Sequence, residues 1–277
     1  MAEPGDDPVA RIFQKTAAQM AANPNMEIST LRACLEVFHT VCTESTDVTY
    51  QEEPNAGTCK GLWEIPVAAK DSSNVILYFQ GRRNLYLCNN GGGGFVTNTT
   101  SSHRRMVGHL AKASNCKALS LEYRLAPEAQ FPAQIDDASN GRDSAGGNLA
   151  TAVVLKLREL GEPLPAAIIG FSPWYDVEFT TGTIETNSST DALVQKDTLA
   201  NMRTMFLGDH DAKDPLANIL NADPKGLPPM YLAAGGYETL LDSTTKFAEK
   251  AREVGVDVTW RTLENVGNWV QEKFGKA

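Results

Sequence analysis

Apolar residues recur at helical spacing in two N-terminal stretches. Val9, Ile12, Phe13, Ala17 and Met20 share one face over residues 8–22, and Leu31, Leu35, Phe38 and Val41 do so over residues 28–43. Asn23-Pro24 breaks between them, so the pattern predicts two amphipathic helices. The period then shortens. Alternating or apolar runs at residues 48–51, 62–67, 75–79 and 117–123 predict strands, parted by turn-rich stretches such as Glu53-Pro54-Asn55-Ala56-Gly57. Over residues 144–160 the helical period returns, with Leu149, Val153, Leu155 and Leu157 recurring until Gly161 stops it. Short apolar runs at residues 166–171, 230–234 and 256–263 then alternate with helical patterns at residues 240–254 and 269–276. Strands alternating with helices over this length predict a mostly parallel sheet covered by helices on both faces. Residues 175–228 are polar and rich in Pro, Asn and Asp around a helical patch at residues 198–206, the pattern of an inserted, cap-like segment. No internal repeat is present.

Composition narrows the classes. The chain has 277 residues and 42% hydrophobic content, enough to bury one large core. Its net charge is -9, and its 25 basic residues are scattered apart from pairs such as Arg82-Arg83 and Arg104-Arg105, which argues against nucleic acid and anionic membrane as partners. The acidic start, MAEPGDDPVA, has no apolar h-region, and no apolar run approaches the roughly 18 residues of a membrane span, so a cytoplasmic protein is expected. The cysteines, Cys34, Cys42, Cys59, Cys88 and Cys116, are odd in number and form no CxxC pair, which points away from a disulfide framework or a zinc site and towards small buried hydrophobes.

Three segments carry residue types that do chemistry. Asp143-Ser144-Ala145-Gly146-Gly147-Asn148 puts a serine just before a helix among small neighbours, as in a nucleophile turn where strand and helix cross closely. It reads equally as a helix N-cap. The glycine run from Gly91 to Gly94 lets backbone N–H groups converge on an oxyanion, or serves as a flexible linker. Gly235-Gly236-Tyr237-Glu238-Thr239-Leu240-Leu241-Asp242 sets two carboxylates after a predicted strand, where an acid can orient an imidazole or simply stabilise a first helical turn.

Together with Tyr123-Arg124-Leu125-Ala126-Pro127-Glu128, Phe131-Pro132-Ala133 and Ser172-Pro173-Trp174, these runs resemble the bacterial hormone-sensitive-lipase family over about residues 60–263. The resemblance implies the α/β-hydrolase fold, a mostly parallel central sheet flanked by helices. It also implies an N-terminal helical cap at residues 1–45 over a core at residues 46–277 that contains the insertion 175–228. By the family's pattern, Ser144 matches the nucleophile and Glu238 the triad acid. Gly92 and Gly93 match the oxyanion loop, Gly91 is adjacent to it, and the Ala145 N–H would join the same hole. Asp242 matches a second, supporting acid. The activity implied is hydrolysis of short-chain carboxylic esters or lactones, with a small molecule as partner and neither metal nor organic cofactor; nothing in the sequence fixes the oligomeric state.

The chain departs from that pattern at three motifs. Family members carry the catalytic histidine after the last strand, whereas the histidines here are His39, His103, His109 and His210, none of them beyond Glu238. Arg142 stands where a glycine precedes the family's nucleophile motif, and residues 134–142 contain no apolar strand. Gln80 stands where the glycine loop begins with histidine, and residues 81–91 intervene, including Asn84-Leu85-Tyr86-Leu87-Cys88, which could pair back on residues 75–79 as a hairpin. The first reading is therefore a carboxylic ester hydrolase impaired by the absent base. Two others stand beside it: an inactive, hydrolase-like binding module, and a non-functional product of an altered reading frame.

Overall fold

The computed structural model describes residues 8–23, 26–37, 42–57, 59–79, 95–97, 100–140, 147–191 and 194–261. Two helices, α1 (Pro8–Ala22) and α2 (Ile28–Glu36), lead into a sheet of β1 (Val48–Ala56), β2 (Cys59–Pro66), β3 (Val75–Phe79) and β4 (Lys117–Glu122), ordered β1-β2-β4-β3. The β1–β2 and β2–β4 pairs are antiparallel and β3–β4 is parallel. A second, all-parallel sheet contains β5 (Ile168–Phe171), β6 (Met230–Ala233) and β7 (Val258–Arg261) in that order. The other helices are α3 (Thr100–Ser114), α4 (Ala133–Asn140), α5 (Gly147–Leu160), α6 (Thr183–Thr186), α7 (Lys196–Leu207) and α8 (Leu241–Glu253). None of the described helices is long and apolar enough to cross a membrane.

Alternation along the strands divides the core into two layers. From β3, Leu77 and Phe79 enter one buried cluster with Leu149 and Val153 of α5, while Ile76 and Tyr78 enter another with Met106, Val107 and Leu110 of α3. The second sheet repeats the division: Ile168, Met230 and Leu232 join the first cluster, and Ile169, Phe171, Tyr231 and Ala233 join the second. Both sheets therefore share the same two packing layers, although β3 and β5 are not hydrogen-bonded neighbours and no described strand lies between them. The segment ahead of the DSAGGN run, which lacks a strand pattern, is the helix α4, whose Ile135 and Ala138 are buried against the α5 side of the core.

Residues 175–228 contribute more to the core than their polar composition indicates. Tyr175, Val177, Ile184, Leu199, Phe206 and Ile219 all belong to the cluster that covers α5. The cysteines also differ from expectation. Cys116 is buried, whereas Cys34, Cys42 and Cys59 are only half-buried. Burial still pushes the Cys59 and Cys116 thiols up to about 11, which keeps them protonated and unreactive near neutral pH.

One arginine fastens the N-terminal helices to the core. Arg32 of α2 donates through Nε to the Val96 carbonyl at 2.8 Å and through Nη2 to the Ala126 carbonyl at 3.1 Å. Both Nη atoms also reach the Glu128 carboxylate at 2.7 Å, a bidentate pair that pulls Glu128 down to about 2. The Ala126 N–H in turn donates to the Phe95 carbonyl at 2.9 Å. One guanidinium thus joins α2, the residues that follow the glycine run, and the YRLAPE turn.

A second polar group is buried under α3. Glu64 of β2 is 0% exposed, lies opposite Tyr50 of β1, and accepts the Ser120 hydroxyl at 2.7 Å. Burial pushes Glu64 up to about 8, against the opposing pull of the Ser120 hydrogen bond. The Tyr50 phenol is pushed up to about 12, and the Arg104 guanidinium lies 4.9 Å from its ring centroid.

Two predictions follow from these groups. Arg32→Met removes the donor shared by two carbonyls as well as the ion pair, and should cost ~1–3 kcal/mol in urea unfolding. Glu128→Gln should cost under about 1 kcal/mol, because that carboxylate is exposed and screened; equal losses for the two variants would contradict this role of Arg32. For Glu64, the folded state holds a proton that the unfolded chain releases in the ordinary glutamate range. That contribution is complete below the unfolded value and is lost as pH rises towards about 8. The unfolding free energy should therefore fall between about pH 5 and pH 8 relative to Glu64→Gln, and parallel pH profiles for the two proteins would refute it.

Candidate active site

β6 and β5 bring two candidate segments to the same end of the parallel sheet. From Ala233 the chain passes through Gly235 and Gly236 into a turn in which the Glu238 N–H donates to the Gly235 carbonyl at 3.2 Å. Glu238 is 3% exposed, so its carboxylate is buried at the carboxyl end of β6, where parallel sheets carry their chemistry. Asp242 lies in the first turn of α8 and is only partly buried. Its carboxylate accepts the Thr183 N–H at 3.2 Å, and its own N–H donates to the Thr183 hydroxyl at 3.0 Å. Asp242 thus links the start of α8 to the start of α6.

The nucleophile motif meets the same region through its last residues. Ser144 and Ala145 lie outside the described residues, as do Gly91, Gly92 and Gly93. Gly147 and Asn148 begin α5, and a Cβ on Gly147 would stand 3.1 Å from the Pro173 Cβ and 3.3 Å from its Cα. A larger residue there would need the turn to give by a few tenths of an ångström. Asn148 donates its side-chain N–H groups to the carbonyls of Trp174 and Ala217. From the other side, the Ser243 and Thr244 hydroxyls of α8 reach the Pro173 carbonyl at 3.4 and 3.5 Å. The helix after the candidate nucleophile and the helix after the candidate acid therefore converge on one turn, Ser172-Pro173-Trp174. That turn is itself held in a left-handed conformation at Ser172 (φ 42°), whose N–H donates to the Ala233 carbonyl at 2.6 Å.

The described residues next to the glycine run are firmly packed. Phe95 adopts φ 64° and is 3% exposed, and Val96 is 0% exposed. The Phe95 ring stacks on Phe206 at 4.0 Å between centroids, and Phe131 meets Phe206 edge-on at 5.6 Å. In the YRLAPE turn, Arg124 is bonded to the buried carboxylate of Asp137, which also accepts the Arg124 backbone N–H at 2.9 Å.

The described histidines have other partners. His103 of α3 has its Nδ1 2.8 Å from the Ser102 hydroxyl and its ring 6.0 Å from that of Tyr78. The His109 Nε2 lies 2.9 Å from the Thr43 carbonyl, and His210 packs edge-on against Phe131. His39 lies outside the described residues, as do residues 262–277, where the family's pattern would set its histidine. The described residues include no cluster of His, Cys, Asp and Glu able to hold a metal ion.

Two polar residues that no sequence motif flags stand beside the acid turn. Asp191 is 1% exposed and accepts the Thr239 N–H, and Asn187 donates to the Glu238 carbonyl. Both act across long sequence separations, which leave no local periodicity to read.

Comparison with known proteins identifies the family. The sequence matches the profile of a family described as having the alpha/beta hydrolase fold over residues 90–141 and 140–269. It is 30% identical over 233 residues to an acetyl-hydrolase of Streptomyces hygroscopicus, covering 77% of this chain and 74% of that protein. An esterase of Acinetobacter venetianus is 30% identical over 186 residues, 61% of each chain. Among solved structures, an esterase of the bacterial hormone-sensitive lipase family superposes with a TM-score of 0.80 at 29% identity, covering 99% of this chain and 93% of that one. A hormone-sensitive lipase from a metagenome library gives a TM-score of 0.83 at 26% identity, covering 95% and 97%. The chain belongs to the α/β-hydrolase fold family and, within it, to the bacterial hormone-sensitive-lipase branch of carboxylic ester hydrolases.

Proposed function

We propose that this chain hydrolyses short-chain carboxylic esters with Ser144 as nucleophile, and does so far more slowly than a relative with a complete triad. The observation that carries the reading is the convergence of α5 and α8 on the Ser172–Trp174 turn, with Glu238 buried beside it. The acetyl-hydrolase and esterases among its relatives support a small acyl group. In this reading the helices of residues 1–45 cap the acyl pocket of the core, together with part of the insertion 175–228. The Gly92, Gly93 and Ala145 N–H groups, with Gly91 beside them, hold the developing oxyanion.

The chemistry follows from what is present and what is not. The Ser144 oxygen attacks the ester carbonyl, the carbonyl oxygen takes up negative charge in the oxyanion loop, and the alcohol leaves. Water then releases the acid from the acyl-enzyme. In a complete site histidine takes the serine proton and returns it to the leaving alcohol, while the acid orients the imidazole. Residues 239–277 contain no histidine, so in this reading the serine proton passes to solvent and the leaving alkoxide takes its proton from solvent. Loss of a triad member typically costs on the order of 10⁴ to 10⁶ in kcat, and what survives comes from the oxyanion hole and binding. The same lack of a histidine favours a second reading, a hydrolase-like module that binds esters or acids without turning them over.

Turnover of p-nitrophenyl acetate and butyrate by the chain and by Ser144→Ala tests both readings. We expect a rate at least about 10⁴-fold below the ordinary enzyme range of about 1 to 10³ s⁻¹, and lost in Ser144→Ala. Turnover inside that range would show that a base is present. Equal rates for the two proteins would favour the binding module.

A further inference from the structure

The turn that carries Glu238 is hydrogen-bonded along its length to one stretch of the chain, residues 183–191 between β5 and α7. The Thr190 hydroxyl donates to the Tyr237 carbonyl at 3.1 Å, the Asn187 side-chain amide to the Glu238 carbonyl at 2.9 Å, and the Thr183 hydroxyl to the Thr239 carbonyl at 3.0 Å. Thr239 donates its N–H and its hydroxyl to a single oxygen of Asp191, each at 3.0 Å. The other Asp191 oxygen accepts the Val194 N–H at 2.8 Å. Asp191 and Thr239 are 1% and 0% exposed, so this is a buried carboxylate satisfied by directed donors. Losing this acceptor orphans the donors that it takes.

These contacts fall on both sides of one residue. The carbonyls of Tyr237, Glu238 and Thr239 and the N–H of Thr239 are all held by residues 183–191, which leaves the Glu238 backbone little freedom to rotate. A catalytic carboxylate must be aimed to within a few tenths of an ångström and about 10–20°, and that aim comes from the groups that hold its backbone and rotamer. The sheet alone does not supply them, because β6 ends at Ala233.

We propose that Asp191 and Asn187 are positioning residues for Glu238: the segment 183–191, outside the sheet, sets the direction in which the candidate triad acid points. The proposal deepens the esterase reading and rests on it for the role of Glu238. The alternative is that these bonds only fasten residues 183–191 to the core, in which case the Glu238 carboxylate is indifferent to them.

Carboxyl-labelled glutamate distinguishes the two by NMR, with the Glu238 resonance identified by its loss in Glu238→Gln. In Asp191→Asn and Asn187→Ala that resonance should move by more than it does in the control Asp223→Asn, while Thr239→Ser, which keeps both donors to Asp191, should leave it in place. Circular dichroism confirms the folded state. Should Asp191→Asn fail to fold, Asn187→Ala decides, because Asn187 is only half-buried. A Glu238 resonance that stays in place in the folded variants overturns the proposal. Ser144-dependent ester turnover of Glu238→Gln, measured alongside, tests the esterase reading separately, since positioning is read from the resonance and not from the rate.

Discussion

Everything at the candidate site depends on how closely α5 approaches the turn after β5. Gly147 lies so near Pro173 that a methyl group would meet the proline at 3.1 Å. The same proline carbonyl receives two hydroxyls from α8, and the Ser172 N–H ties the turn to the end of β6. Two strands and two helices meet on three residues. The first residues of α5 and of α8 are thereby tied to the same short turn.

Around that turn the protein is held by contacts that differ in kind. The two sheets share packing layers through alternating side chains, so their relative placement rests on apolar burial. The periphery is fastened by a few charged groups with several partners each. Arg32 joins α2 to the residues after the glycine run and to the YRLAPE turn, and Asp191 joins the segment before α7 to the turn of the acid. Each of these groups aims backbone that apolar packing, which has no directionality, leaves free.

Legibility from sequence followed the same division. β3 runs from Val75 to Phe79 as its apolar run predicts, and β5, β6, α5 and α8 lie within a few residues of their predicted bounds, because each strand is buried along most of its length and each helix turns a regular apolar face to the core. β1 continues to Ala56 through the stretch that reads as a turn. Among the described residues it is an edge strand paired only to β2, largely exposed, and the register shift between Glu53 and Ala56 absorbs Pro54. α4 is short and polar, with too few apolar positions to declare a period. The acid turn was legible from glycines and carboxylates after a strand. Arg32, Asn187 and Asp191 were not, because their partners lie about fifty to a hundred residues away in the chain, as from Asn187 to Glu238 or Arg32 to Glu128. Glu64 was hidden for a different reason: a strand glutamate reads as solvent-facing until its burial under α3 is known.

In the proposed reading, α5, α8 and the turn after β5 frame an esterase site to which only a proton acceptor has to be added. Free imidazole supplied in solution tests this most directly, with Ser144→Ala as the background for uncatalysed imidazole hydrolysis of a p-nitrophenyl ester. If the frame is competent, the Ser144-dependent rate should rise with imidazole by about tenfold or more and level off at high imidazole, since a positioned base contributes about 10² to 10⁴. A rise identical in the chain and in Ser144→Ala would show that restoring a base restores nothing, and would contradict the account.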